Sequence, residues 1–325
     1  MKRKPMVGVA GIGMVGAPLA KYFLSAGFKR GKNLFLFDAD PKKKFRDDIS
    51  RSDILFICVP SPSKPDGSCD VSIVEAVVAK YASPERIFVI KTTVEPATCE
   101  RLSHTYRCPI VLNPEFLREA SAWEDMAHPD RQIAGHTVNA EDHAVRVAAL
   151  LPRAPFVSPA RSGLHQAAIT ASEAELGKYA ANTFGALKVV FGNIIADCCR
   201  ALEYALKKEN VPVGISYDRV RNVFASDHRI GDAWLDVNHG DYRGYGGYCF
   251  PKDVNALLAF AKRLGRVLPA RSRERMLLAS GLKVLDAMRA YNRALLKSQG
   301  LTEEMVSRHD AELKKKFKAR PRARH

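Results

Sequence analysis

The sequence predicts a doubly wound α/β domain with a parallel sheet, followed by an α-helical domain built around one long helix. Three observations carry this reading. Short apolar runs alternate with helices or loops through the first half, the pattern of β-α-β units. A glycine loop joins the first apolar run to the first helical stretch. After about Pro159 the texture changes, and from Ser172 to about Glu209 there is no proline and apolar residues recur at helical spacing.

Taken in order, residues 6–10 read as a short buried strand and Ala17 to Ala26 as a helix. Leu34-Phe35-Leu36-Phe37, Ile54 to Val59, Ile87 to Ile90 and Ile110 to Leu112 are further apolar runs of strand length. Glu173 and Glu175 open the long helix, where negative charge suits the N-terminus. A glycine-rich loop, 240–247, precedes two more helical segments near Val254–Leu264 and Arg271–Lys297. The expected domains are 1–159, 160–300 and a basic tail over 301–325. From Leu313 to His325 the tail holds seven Lys/Arg and no acid, and it is expected to be disordered.

The chain has 325 residues, enough for two domains at roughly 100–200 residues each. Hydrophobic residues make up 46% and charged residues 26%, so a packed core is expected. No apolar run reaches the ~18 residues of a membrane span, so no membrane partner is expected. The start, Met1-Lys2-Arg3-Lys4-Pro5, is basic and lacks a signal-peptide cleavage pattern. Seven cysteines without a CxxC pair argue against a metal site or a disulfide framework and for a reducing cytoplasm. The net charge of +16 favours anionic partners.

Gly11, Gly13 and Gly16 form GxGxxG after a strand and before a helix, the Rossmann-type dinucleotide fingerprint. The first glycine permits the turn, the second a close approach to pyrophosphate, and the third helix–strand packing. The intervening Ile12, Met14 and Val15 offer backbone N–H groups to phosphate at the helix start. Asp38 lies 22 residues after Gly16, where a carboxylate accepts from both ribose hydroxyls and repels a 2′-phosphate. That favours NAD over NADP, with Lys42, Lys43 and Lys44 acting against the preference.

Cys249 follows Gly246-Gly247-Tyr248 and precedes Phe250-Pro251-Lys252-Asp253. Asp253 is expected to start the next helix as its cap. A cysteine near a helix N-terminus can act as a nucleophile, although buried cysteines are more often inert. Lys178 and Asn182 are four apart and share a helix face, with Glu175 on the same side. This pattern fits either a solvated face with an ion pair or a lysine and amide that stabilise a developing alkoxide. Glu115 and Glu119 form another such pair just after a strand, where ligands bind in open α/β sheets.

These residues, with Val59-Pro60-Ser61-Pro62, Lys91-Thr92-Thr93-Val94, Asn113 to Glu119, Pro129-Asp130-Arg131, Glu175 to Thr183 and Asp227 to Gly231, resemble the UDP-glucose/GDP-mannose dehydrogenase family. The resemblance runs from about Val7 to Asn292. It implies oxidation of a sugar primary alcohol to a carboxylate with two NAD molecules, on UDP-glucose or a related nucleotide sugar. It implies that Cys249 is the nucleophile and that Lys178 and Asn182 hold the reacting oxygen. Asp253 would orient water and support Lys178, while Glu119 and Thr93 would serve the water and proton-transfer network. Val59, Pro60, Ser61, Thr93 and Glu119 would border the cofactor. Glu115, the Phe116-Leu117-Arg118 backbone and Gly246 would line the substrate. Arg229 matches an arginine that reaches substrate across a dimer interface, so the long helix would be the core of a homodimer.

The sequence departs from the family in three ways. No second GxGxxG-like unit follows the central helices, where the family usually carries a domain that grips the nucleotide. The stretch between Asp38 and Ile54 is short. Ile194, Tyr242 and Tyr248 replace a usual Glu, a glycine and a small residue. Other readings keep the chemistry on a nucleoside or another glycosylated alcohol, or make the chain a two-electron dehydrogenase of the β-hydroxyacid type. A non-enzymatic reading is an NAD-binding scaffold whose basic tail meets nucleic acid. Phe317 is the tail's one aromatic, and no nucleic-acid module is recognised.

Overall fold

The computed structural model describes residues 4–154, 169–239 and 242–308. The domain boundary expected near 159–160 and the basic run from Leu313 to His325 lie outside them. The chain forms two compact units, 1–178 and 179–325.

The first unit is a six-stranded sheet in the order β2-β1-β3-β4-β5-β6. The strands are β1 (Val7–Ala10), β2 (Leu34–Phe37), β3 (Ile54–Ile57), β4 (Ile87–Ile90), β5 (Ile110–Leu112) and β6 (Gly135–His136). The first five are parallel, and β6 pairs antiparallel with β5. Parallel strands covered on both faces are apolar at every position. In β3, Ile54 and Phe56 enter one core layer, and Leu55 and Ile57 enter the other. Helix α1 (Gly16–Ser25) buries Leu19, Ala20 and Phe23 at helical spacing. The Phe23 ring lies 5.2 Å from that of Phe56, fixing α1 over the sheet centre. Helices α2 (Ser72–Tyr81), α3 (Thr98–Tyr106), α4 (Ala122–Ala127) and α5 (Glu141–Ala148) complete the layers.

The division between units falls inside α6 (Ala171–Lys208), 38 residues long. Its start is a capping box. Thr170 Oγ1 accepts from Glu173 N at 3.2 Å, and Glu173 Oε2 accepts from Thr170 N at 2.8 Å. Glu175 does something else: it caps α3, accepting from Ala97 N at 2.6 Å and Cys99 N at 2.8 Å.

The second unit holds the rest of α6, then α7 (Tyr217–Ala225), α8 (Phe250–Val267), α9 (Arg273–Ser298) and α10 (Glu303–Val306). Ala186, Val189 and Val190 of α6 pack with Val254, Leu258 and Ala261 of α8 and with Leu282 and Met288 of α9. Two expectations are corrected here. Asp253 is not the cap of α8: Cys249 occupies that position, and Asp253 stands in the first turn with its N–H donating to Cys249 O at 2.9 Å. Proline at the second helical position lets the helix begin earlier than Asp253. The first residues assigned to the tail also have structure. Leu301 and Val306 are buried against Tyr242 and Leu296, and Thr302 caps α10 by accepting from Met305 N.

Candidate active site

In the first unit, the glycine loop follows β1 directly. Gly11 has φ +89°, and a Cβ there would meet Cys58 O at 2.7 Å. A Cβ on Gly16 would overlap the Gly11 carbonyl oxygen, whereas one on Gly13 would meet nothing within 4 Å. Two glycines are thus demanded by packing, and the middle one faces open space, as a cradle for pyrophosphate requires. Ile12 is buried, while Met14 and Val15 at the helix start are half-buried.

Asp38 stands at the end of β2. Its Oδ2 accepts from Ile12 N at 2.7 Å and from Lys43 Nζ at 3.0 Å, and its Oδ1 accepts from Asp40 N at 2.9 Å. Burial pushes this carboxyl up, but the Asp40 N–H, the Lys43 ammonium and the Ile12 N–H outweigh it and hold it below the usual carboxylate range. An ionised carboxylate beside the loop fits the ribose of a bound dinucleotide. Lys43 is therefore committed to Asp38.

The loops after β3 and β4 are laced together. Ser61 Oγ donates to Thr93 O at 2.7 Å, and Thr92 Oγ1 donates to Val59 O at 2.8 Å. Pro60 between them is exposed, and Thr93 is half-buried. After β5 the chain turns at Glu115, whose Oε2 accepts from Leu117 N at 2.7 Å. Lys178 Nζ donates to Glu115 O at 2.5 Å and lies 3.2 Å from its Oε1 and 4.8 Å from the Phe116 ring. Both side chains are almost fully buried, at 4% and 8% exposure. The face carrying Glu175 and Lys178 is therefore not a solvated one. Burial alone would raise the Glu115 carboxyl; the Lys178 ammonium, the Leu117 N–H and the Lys91 ammonium together hold it below its ordinary value. Arg118 points to solvent and pairs with Asp125 at 2.6 Å, and Glu119 is half-buried at the start of a short 3-10 turn.

Lys91 was not among the sequence candidates. It is buried at the end of β4 and donates to Asn113 Oδ1 at 2.5 Å, while Asn113 Nδ2 donates to Ile133 O at 2.7 Å. These bonds tie the ends of β4, β5 and the approach to β6 around Glu115. Burial pushes the Lys91 ammonium down. A lysine ending an otherwise apolar strand was the signal available in the sequence.

In the second unit, Asn182 Nδ2 donates to Asp253 Oδ2 at 2.5 Å, and Lys252 Nζ lies 2.6 Å from Asp253 Oδ1. Asp253 is 1% exposed. Cys249 is half-buried at the N-cap of α8, where first-turn N–H groups favour negative charge. No disulfide joins the cysteines. The loop that delivers Cys249 is clamped by residues the sequence reading passed over. Asn292 Oδ1 accepts from Tyr245 N at 2.8 Å, and its Nδ2 donates to Tyr245 O at 3.1 Å. Arg243 Nε donates to Asn193 Oδ1 at 2.9 Å, and its Nη1 to Asp197 Oδ1 at 2.8 Å. Gly246 is also fixed by packing, because a Cβ there would overlap the Tyr242 hydroxyl. Arg229 is exposed and forms a pair with Asp227 two residues away. Among the described residues no His/Cys/Asp/Glu cluster could hold a metal.

Two family domains match this chain: the NAD binding domain of the UDP-glucose/GDP-mannose dehydrogenase family over residues 37–150, and its central domain over 172–273. The chain belongs to that family. UDP-glucose 6-dehydrogenase of Pseudomonas aeruginosa is 35% identical over 231 residues, which is 67% of this chain and 46% of that protein. The chain thus spans about half the length of the curated relatives it matches. A solved UDP-glucose dehydrogenase from Pyrobaculum islandicum superposes with a TM-score of 0.67 at 26% identity, covering 91% of this chain and 71% of that one. The 3-hydroxyisobutyrate dehydrogenase of Mycobacterium tuberculosis superposes with a TM-score of 0.57 at 12% identity, covering 98% and 100%, and shares the fold. NAD is the cofactor of the family's first domain, in agreement with the open Gly13 cradle and the ionised Asp38.

Proposed function

We propose that the chain is an NAD-dependent dehydrogenase that oxidises the primary alcohol of a nucleotide sugar to a carboxylate, with UDP-glucose or a close relative as substrate. The observation that carries this reading is the placement of Cys249 at the N-cap of α8, one turn from a buried Asp253 that binds Asn182. A simple alcohol dehydrogenase has no task for that cysteine.

When bound, NAD would accept the hydride lost in each of the two oxidations. Gly11 to Gly16 would hold its pyrophosphate and Asp38 its adenosine ribose, with Val59 to Ser61, Thr93 and Glu119 along the same cofactor. Lys178 and Asn182, one turn apart on α6, hold the alcohol oxygen and stabilise the negative charge that grows on it. The hydroxyl proton leaves through the water network served by Thr93 and Glu119, and loss of the first hydride from the carbon leaves an aldehyde. The Cys249 thiol adds to the aldehyde, giving a thiohemiacetal and preventing release of the intermediate. Loss of a second hydride converts this to a thioester. Water oriented by Asp253 hydrolyses it, restoring the thiol and releasing the carboxylate. Glu115 to Arg118 and Gly246 line the sugar, and Arg229 of one protomer serves the site of its partner in a homodimer built on α6.

A panel of UDP-, GDP- and TDP-sugars plus free nucleosides, scored by NADH formation, tests the substrate. Turnover confined to a UDP-hexose supports the proposal. Turnover confined to free nucleosides moves the same chemistry to another alcohol, and no turnover on any member contradicts it.

A further inference from the structure

Helices α8 and α9 form an antiparallel hairpin whose pairing is regular. Asn255 bonds Arg289 at 2.9 Å, Lys262 pairs with Asp286 at 3.1 Å, and a Cβ on Gly265 would lie 3.9 Å from Leu278. Partners therefore approach each other in sequence toward a tip at residues 268–272. Around that tip four aliphatic side chains face solvent: Leu264 (44% exposed) and Val267 (83%) on α8, and Met276 (65%) and Leu277 (54%) on α9. The same stretch, 262–277, carries Lys262, Arg263, Arg266, Arg271, Arg273 and Arg275 against a single acid, Glu274.

We propose that this tip is a docking surface for an anionic lipid bilayer. Exposed aliphatic groups gain free energy by entering an apolar medium, and arginines set around them match a surface of phosphates. Charge alone would also suit nucleic acid. The stretch, however, has no aromatic ring for base stacking and no Asn or Gln to read base edges. Its one hydroxyl, Ser272, is occupied in capping α9 by accepting from Arg275 N at 3.1 Å. Leu264 and Val267 sit on the last turn of α8, and Met276 and Leu277 within the first five residues of α9, so all four lie beside the tip. Docking of this kind is peripheral, and no helix among the described residues is long and apolar enough to cross a membrane.

The test is co-sedimentation of the full chain with vesicles of phosphatidylcholine alone and of phosphatidylcholine mixed with phosphatidylglycerol. The comparison variant is Val267→Ser/Met276→Ser/Leu277→Ser, which leaves every charge in place. All three positions are exposed and outside the proposed catalytic groups, so NADH turnover should be unchanged. The expected result is binding to the anionic vesicles only, weakened about tenfold or more in the variant. Binding that is equal in the two proteins would assign it to charge alone and overturn the proposal, as would failure of the wild-type chain to bind. Light scattering that shows self-association lost in the variant would instead assign the tip to a second copy of the chain.

Discussion

At the residue scale, the three loop glycines make separable predictions. A Cβ at Gly13 meets nothing within 4 Å, so Gly13→Glu should fold, while its carboxylate enters the pyrophosphate cradle and repels the phosphates. NAD binding measured by titration calorimetry should be lost with the melting temperature nearly unchanged. Gly16→Ala places a methyl on the Gly11 carbonyl and should lower stability itself. Lys178 presents a different balance, since it is both half of a buried ion pair and the proposed stabiliser of the alkoxide. Lys178→Met should reduce kcat by about 100- to 1,000-fold, the usual cost of removing an oxyanion donor. It should also destabilise the fold by about 3–5 kcal/mol, because Glu115 is left buried without its partner. An activity loss with no thermal shift would contradict the pairing.

At the scale of elements, α6 is fastened to α3 by one carboxylate. Burial pushes Glu175 up to about 7, against the N–H groups of Cys99 and Ala97 that favour its ionised form. A carboxyl raised above its ordinary value of 4.5 binds more protons folded than unfolded between those two values. Its contribution is therefore complete below about pH 4.5 and is lost as the pH rises through about 7. Denaturant titrations should show this fall in the wild-type chain and its absence in Glu175→Gln. Parallel pH profiles for the two proteins would contradict the assignment. The same element shows where the sequence was legible. Strands β2, β4 and β5 could be delimited in the sequence because doubly covered strands are unbroken apolar runs, and α6 because its proline-free periodicity is long. Glu175 read as a helix-start charge, since its true partners lie 76 and 78 residues away. Strand β6 has only two residues and leaves no periodic signal, whereas α7 carries one, with Tyr217, Val220, Val223 and Phe224 at helical spacing in a helix of only nine residues. Lys91, Arg243 and Asn292 act by fixing loops, and their residue types alone do not announce that.

At the scale of the whole molecule, α6 leaves Phe184, Phe191 and Leu202 exposed, and their spacing of 7 and 11 residues places them on one helical face. An apolar stripe of this kind supports the proposed homodimer. Phe184→Glu/Leu202→Glu should shift the mass measured by light scattering from two chains to one, and an unchanged mass would remove α6 as the interface. If Arg229 serves the partner's site, the same variant should lose turnover while still binding NAD. The stoichiometry of NADH formed per sugar consumed reads out the job of Cys249. Covalent capture predicts two NADH and a carboxylate product, with the yield of carboxylate collapsing in Cys249→Ser. One NADH per sugar, or carboxylate formed at normal rates without the thiol, would contradict it.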